Sequence, residues 1–324
     1  MESDDAIFEA AADAIVDGDL AALDRLLNEN PGLAHARSSR SHHATLLHYV
    51  SANGVEDVRQ KTPANIVDIA RRLLDAGADV NAQSNSYGGD DTTFMLVATS
   101  IHPERAGVQL DLMRFLLDRG AVIQPKTVYA CLANGRAEAA EFLLDRGEVL
   151  DLQTPPDTNG MTLLHHAAAA GSLRITRMLL DDGASLEAKS GYGGTPLDQA
   201  IWSAKQARGE GRHEEAHNGY LTAVEICRAA GDAKRLAHTL RHVGDIERQM
   251  GRADDAGVHL TEALEIARRE RVAPLELANT IRPLALLRDD EALWREAHDL
   301  YLQANVEAGV AEAARHLEKR DRQS

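Results

Sequence analysis

The sequence predicts an all-α fold, a solenoid of stacked helix hairpins in two sections. Three observations predict it. The segments LLDAG, LLDRG, LLDRG and LLDDG recur with starts at 73, 116, 143 and 179. The opening Thr162-Leu163-Leu164 returns as Thr195-Pro196-Leu197, 33 residues on, with short apolar stripes between them that each end in glycine. Aromatic residues make up only 4% of the chain, so the core is Ala, Leu and Val, which suits closely packed helices. A helix of about ten residues cannot bury its apolar stripe alone, so each hairpin needs neighbours to stack on.

Composition bounds the rest. The chain of 324 residues is long enough for two ordinary domains. Its two cysteines, Cys131 and Cys227, sit in apolar helical patterns and read as reduced core residues. No apolar run approaches the ~18 residues of a membrane span. The opening MESDDAIFEAA is acidic and lacks the basic start of a secretory leader, so the expected compartment is the cytoplasm. Heavy use of Ala, Arg, Asp and Gly suggests a bacterial gene. Net charge is −16, with 29 acidic and 17 basic residues up to Ala207 and 22 acidic and 18 basic after it. Both parts should be repelled by nucleic acid and anionic membranes.

The elements follow in order. Ile7, Phe8, Ala11, Ala14 and Ile15 recur at helical spacing, Gly18-Asp19 turns, and Leu20, Leu23, Leu26 and Leu27 form a second stripe closed by Asn30-Pro31-Gly32. A second unit opens at Thr45-Leu46-Leu47-His48 and ends in LLDAGADVNAQ. Its connector holds Gly54 and Thr62-Pro63, which predict a cap and first position for the helix that follows. A third unit carries Thr92 to Leu96 and Leu112 to Leu117. A fourth runs from Pro125 to Gly147, and a fifth from Asn159 to Gly183-Ala184. A sixth opens at Thr195-Pro196-Leu197-Asp198. Its polar, Gly-rich stretch from Lys205 to Gly219 reads as a long mobile connector before an apolar stripe from Tyr220 to Gly231.

This punctuation resembles the ankyrin repeat over residues 1–231, with six units and the first an N-terminal cap. From Lys234 the period changes. Leu240, Val243, Gly244, Gly251, Ala256, Leu260 and Ala263 fall where a tetratricopeptide repeat places its packing residues, and the pattern returns at Ile281, Leu284, Ala285, Ala297, Tyr301 and Ala304. Residues 232–320 therefore resemble tetratricopeptide repeats, with Val306 to Arg320 as a capping helix and the run EKRDRQS expected to fray. Glu247 and Arg268 depart from the family's usual Tyr and Pro. Gly244 and Ala256 predict a close helix approach with Leu260 beside them. Pro283 predicts a kink in its helix.

The double resemblance implies a non-enzymatic adaptor that binds a protein or peptide on its concave faces, with no cofactor. In the ankyrin-like part the resemblance makes His48 and His165 structural, each bonding the backbone of the next turn. His166, one residue on, points nearer the concave surface. Loop residues Asn85, Ser86, Tyr87, Asn159, Tyr192 and Gly193 are candidate contacts, with the two tyrosines as anchors or as packing on the adjacent loop. In the second part, helical phase from Val243 and Gly244 puts His238, Arg241, Asp245 and Arg248 on the groove face, and Asn279, Arg282 and Leu286 on the next helix. Such a basic, Asn-containing face fits an acidic or C-terminal peptide.

Two alternatives stand beside this. His213-Glu214-Glu215-Ala216-His217 matches H-E-x-x-H, in which i and i+4 histidines chelate zinc and the glutamate is general base; Glu225 or Glu247 would be the third ligand of a zinc-dependent hydrolase. The setting speaks against it. The motif follows the solvated run Arg208 to Arg212, and Asn218-Gly219 is expected to end its helix. The other alternative is a bacterial effector acting on host proteins.

Overall fold

The computed structural model describes residues 4–152 and 154–321. The chain forms two compact units, Met1–Asp151 and Leu152–Ser324. The described residues are helical apart from loops, turns, one two-residue ladder and an isolated bridge between Arg37 and Thr45, so the all-α repeat class holds.

In the first unit α1 (Asp4–Asp17) and α2 (Leu20–Glu29) form the terminal hairpin. Phe8, Ala11 and Ile15 are buried, and the Phe8 ring meets Tyr49 edge-on at 6.0 Å. The second repeat starts with a 3-10 turn, Leu46–Ser51, where the TLLH opening suggested a full helix; Ala52 ends it at φ 48°. Its second helix is α3 (Ile66–Asp75). Thr62 does not cap this helix. The cap position is Asn65, whose side chain instead donates to Gly18 O at 2.9 Å, and Thr62 Oγ1 is buried without a hydrogen-bond partner. The long connector is held by Arg59, which donates to Asp13 Oδ1 at 2.7 Å and Glu9 Oε2 at 2.6 Å and so ties it to α1.

The strands β1 (Gln83–Ser84) and β2 (Asp91–Thr92) pair antiparallel. The helices α4 (Thr93–Thr99), α5 (Ile101–Arg105) and α6 (Gln109–Asp118) complete the third repeat, and α7 (Thr127–Ala133) with α8 (Ala137–Asp145) makes the fourth.

The second unit begins with α9 (Leu163–Ala170) and α10 (Leu173–Asp181). Next come α11 (Pro196–Gly209) and α12 (His213–Ala230), α13 (Ala233–Gln249) and α14 (Ala253–Arg269), α15 (Pro274–Arg288) and α16 (Glu291–Gln303), and the last helix α17 (Glu307–Asp321). The supposed connector is a correction. Residues 205–219 are almost wholly helix, and only Glu210-Gly211-Arg212 links α11 to α12. Gly219 does not end a helix; it lies buried within α12, where an added Cβ would stand 3.0 Å from Ala204 Cβ. The glycine is there for close helix packing, and local composition reads that as a breaker. α15 runs unbroken through Pro283. α17 reaches Asp321, and residues 322–324 of the run expected to fray lie outside the described residues.

His48 and His165 behave as latches. His165 Nδ1 accepts the Thr162 N–H at 3.2 Å, and Nε2 donates to Gly194 O at 3.1 Å, so one ring joins two successive turns. His48 repeats this with Thr45 N at 3.1 Å and Asp91 O at 3.2 Å, and burial lowers its pKa to about 4, which keeps the ring neutral. His165→Leu should keep the bulk but orphan a buried N–H and a carbonyl, at roughly 1–3 kcal/mol. The denaturation midpoint checks this; an unchanged midpoint would mean the latch contributes nothing.

Candidate functional site

Helical phase in α13 places His238, Arg241, Asp245 and Arg248 one turn apart, and the structure joins them. Arg241 Nη2 lies 3.3 Å from His238 Nδ1, and Arg248 Nη2 donates to Asp245 Oδ1 at 2.9 Å. Neighbouring helices complete the face. Arg208 of α11 donates to Asp245 Oδ2 at 2.5 Å. Arg282 of α15 makes a two-point pair with Glu312 of α17, both bonds at 2.7 Å. Asn279 accepts from Tyr301 at 3.0 Å. Leu286 packs against the core cluster of Ile281, Leu284 and Trp294.

Arg241 differs from its neighbours. Its other close partner is His242 Nε2 at 3.1 Å, and His242 Nε2 in turn lies 3.3 Å from His238 Nε2. No carboxylate among the described residues is within salt-bridge distance of Arg241, and its Nε is buried without a hydrogen-bond partner. Burial, then the Arg241 charge, lowers the pKa of His238 to about 4 and that of His242 to about 3. Two neutral imidazoles therefore surround one buried cation. Counting Arg241 with Arg208, Arg248, Arg282 and Lys205 against Asp245, Glu276 and Glu312, the face carries an excess of two positive charges.

The sequence pattern does not assign His242, Arg208, Tyr301 or Glu312 to this face: it reads Tyr301 as a packing residue and Arg208 as part of a solvated run, and does not single out His242 or Glu312. His242 falls one position outside the phase set by Val243, yet its ring stacks on Tyr220 at 5.2 Å and 9° and is drawn into the cluster. The other three come from separate helices, and a single-helix pattern cannot reveal them.

The ankyrin-like candidates divide. Tyr192 is 83% exposed at a turn whose tip joins the previous one through Gly191 N to Asn159 O at 2.6 Å. Tyr87 is 67% exposed, with its hydroxyl donating to Asn53 Oδ1 at 2.6 Å. His166 is buried. It is 5% exposed, and its Nε2 lies 3.2 Å from Asp157 Oδ2.

The H-E-x-x-H histidines also part. His213 is exposed in the first turn of α12. His217 is buried, with Nε2 2.9 Å from Glu247 Oε1, while Glu247 Oε2 lies 2.8 Å from His259 Nδ1. The two histidines grip opposite oxygens of one carboxylate. Among the described residues no group of three or more His, Cys, Asp or Glu is placed to hold a metal.

The family model for ankyrin repeats, in three copies, matches residues 127–208, and the tetratricopeptide repeat model matches residues 200–269. The chain carries ankyrin repeats and a tetratricopeptide-like repeat. The two matches overlap within α11, which contributes Arg208 to the basic face. A curated relative, the transient receptor potential cation channel subfamily A member 1 homolog of Caenorhabditis elegans, is 28% identical over 151 residues. That is 45% of this chain, which spans only 12% of the relative's length. Among solved structures, a chain of a complex between a predatory endopeptidase of Bdellovibrio bacteriovorus and an immunity protein aligns at TM-score 0.41 and 22% identity, covering 61% of this chain and 93% of that one. An ankyrin repeat protein aligns at TM-score 0.39 and 19% identity, covering 65% and 96%. Ankyrin and tetratricopeptide-like repeats together indicate a protein–protein interaction module. No helix among the described residues is long and apolar enough to cross a membrane.

Proposed function

We propose that the chain is a non-enzymatic adaptor whose tetratricopeptide-like face, built by α11, α13, α15 and α17, holds the acidic end of a partner peptide. The observation that carries this is Arg241, a largely buried guanidinium bonded to two neutral histidines, with Asp245 and Glu276 near enough to act on its charge but no carboxylate within salt-bridge distance. A buried charge without a directly paired counter-ion is costly. A peptide carboxylate reaching Arg241 would supply the missing direct pair through a charge-assisted hydrogen bond. The excess of two positive charges suits a C-terminal Asp or Glu, which bears two carboxylates on one residue. Arg248 and Arg282 are engaged with Asp245 and Glu312 and frame the face, while Asn279 and His238 line it.

Fluorescence anisotropy tests this with the intact chain and a labelled peptide ending in a free Glu-Asp C-terminus. Arg241→Gln should weaken capture at least tenfold, about 1.4 kcal/mol, and amidating the peptide's C-terminus should do the same. The double variant Arg241→Glu with Arg282→Glu should abolish it. Equal binding by the wild-type chain and Arg241→Gln would retire the groove.

A further inference from the structure

A cavity of about 460 Å³ lies in the first unit, and its chemistry is opposite to that of the arginine face. Asn53, Tyr87, Asp91, Met95, Thr99 and Ile101 are among its walls. Asn53 is fully engaged: its Nδ2 donates to Leu96 O and to Thr99 Oγ1, both at 3.2 Å, and its Oδ1 accepts the Tyr87 hydroxyl. That pins the Tyr87 ring at the cavity while leaving most of it exposed.

Asp91 is the unusual wall. Its Oδ2 accepts the Tyr87 N–H at 2.7 Å. Among the described residues nothing else bonds its carboxylate and no cation lies within salt-bridge distance. Burial, offset by that bond and helped by Asp90, raises its pKa above the ordinary value. The basic residues at the cavity do not answer it. Arg136 pairs with Glu104 and donates to Asn134 O at 2.9 Å. Burial lowers the pKa of His102, so that ring adds no charge near neutrality. The cavity thus presents one carboxylate awaiting a cation, one exposed aromatic ring, and the aliphatic chains of Met95 and Ile101.

We propose that this cavity receives a lysine side chain of a partner protein. The ammonium would meet Asp91 Oδ1, the Tyr87 ring would stabilise the charge by a cation–π contact, and the four-carbon stem would lie against Met95 and Ile101. Lysine fits better than arginine because only Oδ1 lacks a donor. A single free oxygen suits a point ammonium, whereas the guanidinium fork takes both. This site is independent of the arginine face.

The test is a chemical-shift titration of the intact chain with the end-blocked peptide Gly-Gly-Lys-Gly-Gly, beside versions with norleucine or arginine at the centre. The lysine peptide should give saturable shifts at Tyr87 and Asp91 and bind at least tenfold more tightly than the norleucine peptide, with arginine weaker than lysine. Asp91→Asn and Tyr87→Leu should each weaken it about tenfold, which is about 1.4 kcal/mol. Asp91→Asn keeps an oxygen for the Tyr87 N–H and leaves the Asp91 carbonyl to His48, so its melting temperature should stay level or rise. A structural role for the carboxylate would lower it and overturn the proposal. So would norleucine binding equally, arginine binding as tightly as lysine, unchanged binding by Asp91→Asn, or displacement of the peptide by an equal concentration of n-butylamine, which would mark a free-amine site.

Discussion

Gly244→Ala should destabilise the second unit while Gly257→Ala stabilises it, although both replace a glycine inside a helix. By propensity alone each substitution gains about 0.8–1.0 kcal/mol. Space decides the sign. A Cβ at Gly244 would stand 2.5 Å from Leu260 Cγ, 2.8 Å from its Cδ2 and 3.2 Å from Ala256 O. Leu260 is fully buried in a cluster with Ile281, Leu284 and Trp294, so it cannot swing aside, and the Ala256 contact is backbone. α13 and α14 must separate, and overpacking of this kind costs about 1–3 kcal/mol. At Gly257 the nearest atom is Leu287 Cδ2 at 3.8 Å, an ordinary contact. The expected net is a loss of up to about 2 kcal/mol for Gly244→Ala and a gain of up to about 1 kcal/mol for Gly257→Ala. Gly244→Val adds two further methyls and forfeits the helix propensity, so its loss should exceed about 3 kcal/mol. Equilibrium denaturation of the three variants reads this directly. A Gly244→Ala protein as stable as Gly257→Ala would mean that the two helices can part freely.

That close approach was legible because its residues sit at fixed positions in one repeat: Gly244, Ala256 and Leu260 lie within seventeen positions of one another. The histidine latches were legible for the same reason, since Thr162 and His165 are three residues apart and the acceptor Gly194 lies one repeat on. The shared face of His238, Arg241, Asp245 and Arg248 followed from helical phase alone. Legibility failed where long-range packing overrides local composition. Arg208-Gly209-Glu210-Gly211-Arg212 reads as a linker, yet Ala207 and Ala216 on either side are buried in one cluster with Tyr220 and Leu240. Arg59 looks like a surface residue of a loop, and only the folded chain brings it to Glu9 and Asp13, 46 to 50 positions away. At the arginine face, the sequence offered the basic residues of α13 and α15 but not that Asp245 and Glu312 would neutralise three of the four arginines. The one that counts, Arg241, is distinguished by what does not reach it, and no pattern along the chain encodes that.

Glu247→Ala should cost about 3 kcal/mol and reshape the pH dependence of the second unit. The position is one where the tetratricopeptide pattern usually carries tyrosine, and here a 2% exposed carboxylate joins α13 to His217 of α12 and His259 of α14. Removing the carboxylate leaves two ring nitrogens without acceptors, each worth roughly 1–3 kcal/mol, and removing one partner of a buried pair costs about 3–5 kcal/mol when the other stays charged. His259 can shed its proton, which keeps the total near the lower figure. The pH window follows from two shifts of opposite kind. Burial opposes the Glu247 charge, but the bonds from His217 and His259 outweigh it and lower its pKa below 4.5. Its contribution is therefore present above about pH 4.5 and is lost as pH falls through the depressed folded value. The hydrogen bond that His259 donates to Glu247 raises the His259 pKa above 6.5, so the His259 contribution is full below pH 6.5 and is lost as pH rises through the raised value. Both hold together between about pH 4.5 and 6.5. Melting temperature measured from pH 4 to 8 should therefore show this network's contribution greatest in that window. Glu247→Gln keeps acceptor and shape but removes the charge, so its profile should be flatter on both flanks than the wild-type one. Parallel profiles for the two proteins would show that the carboxylate contributes shape alone.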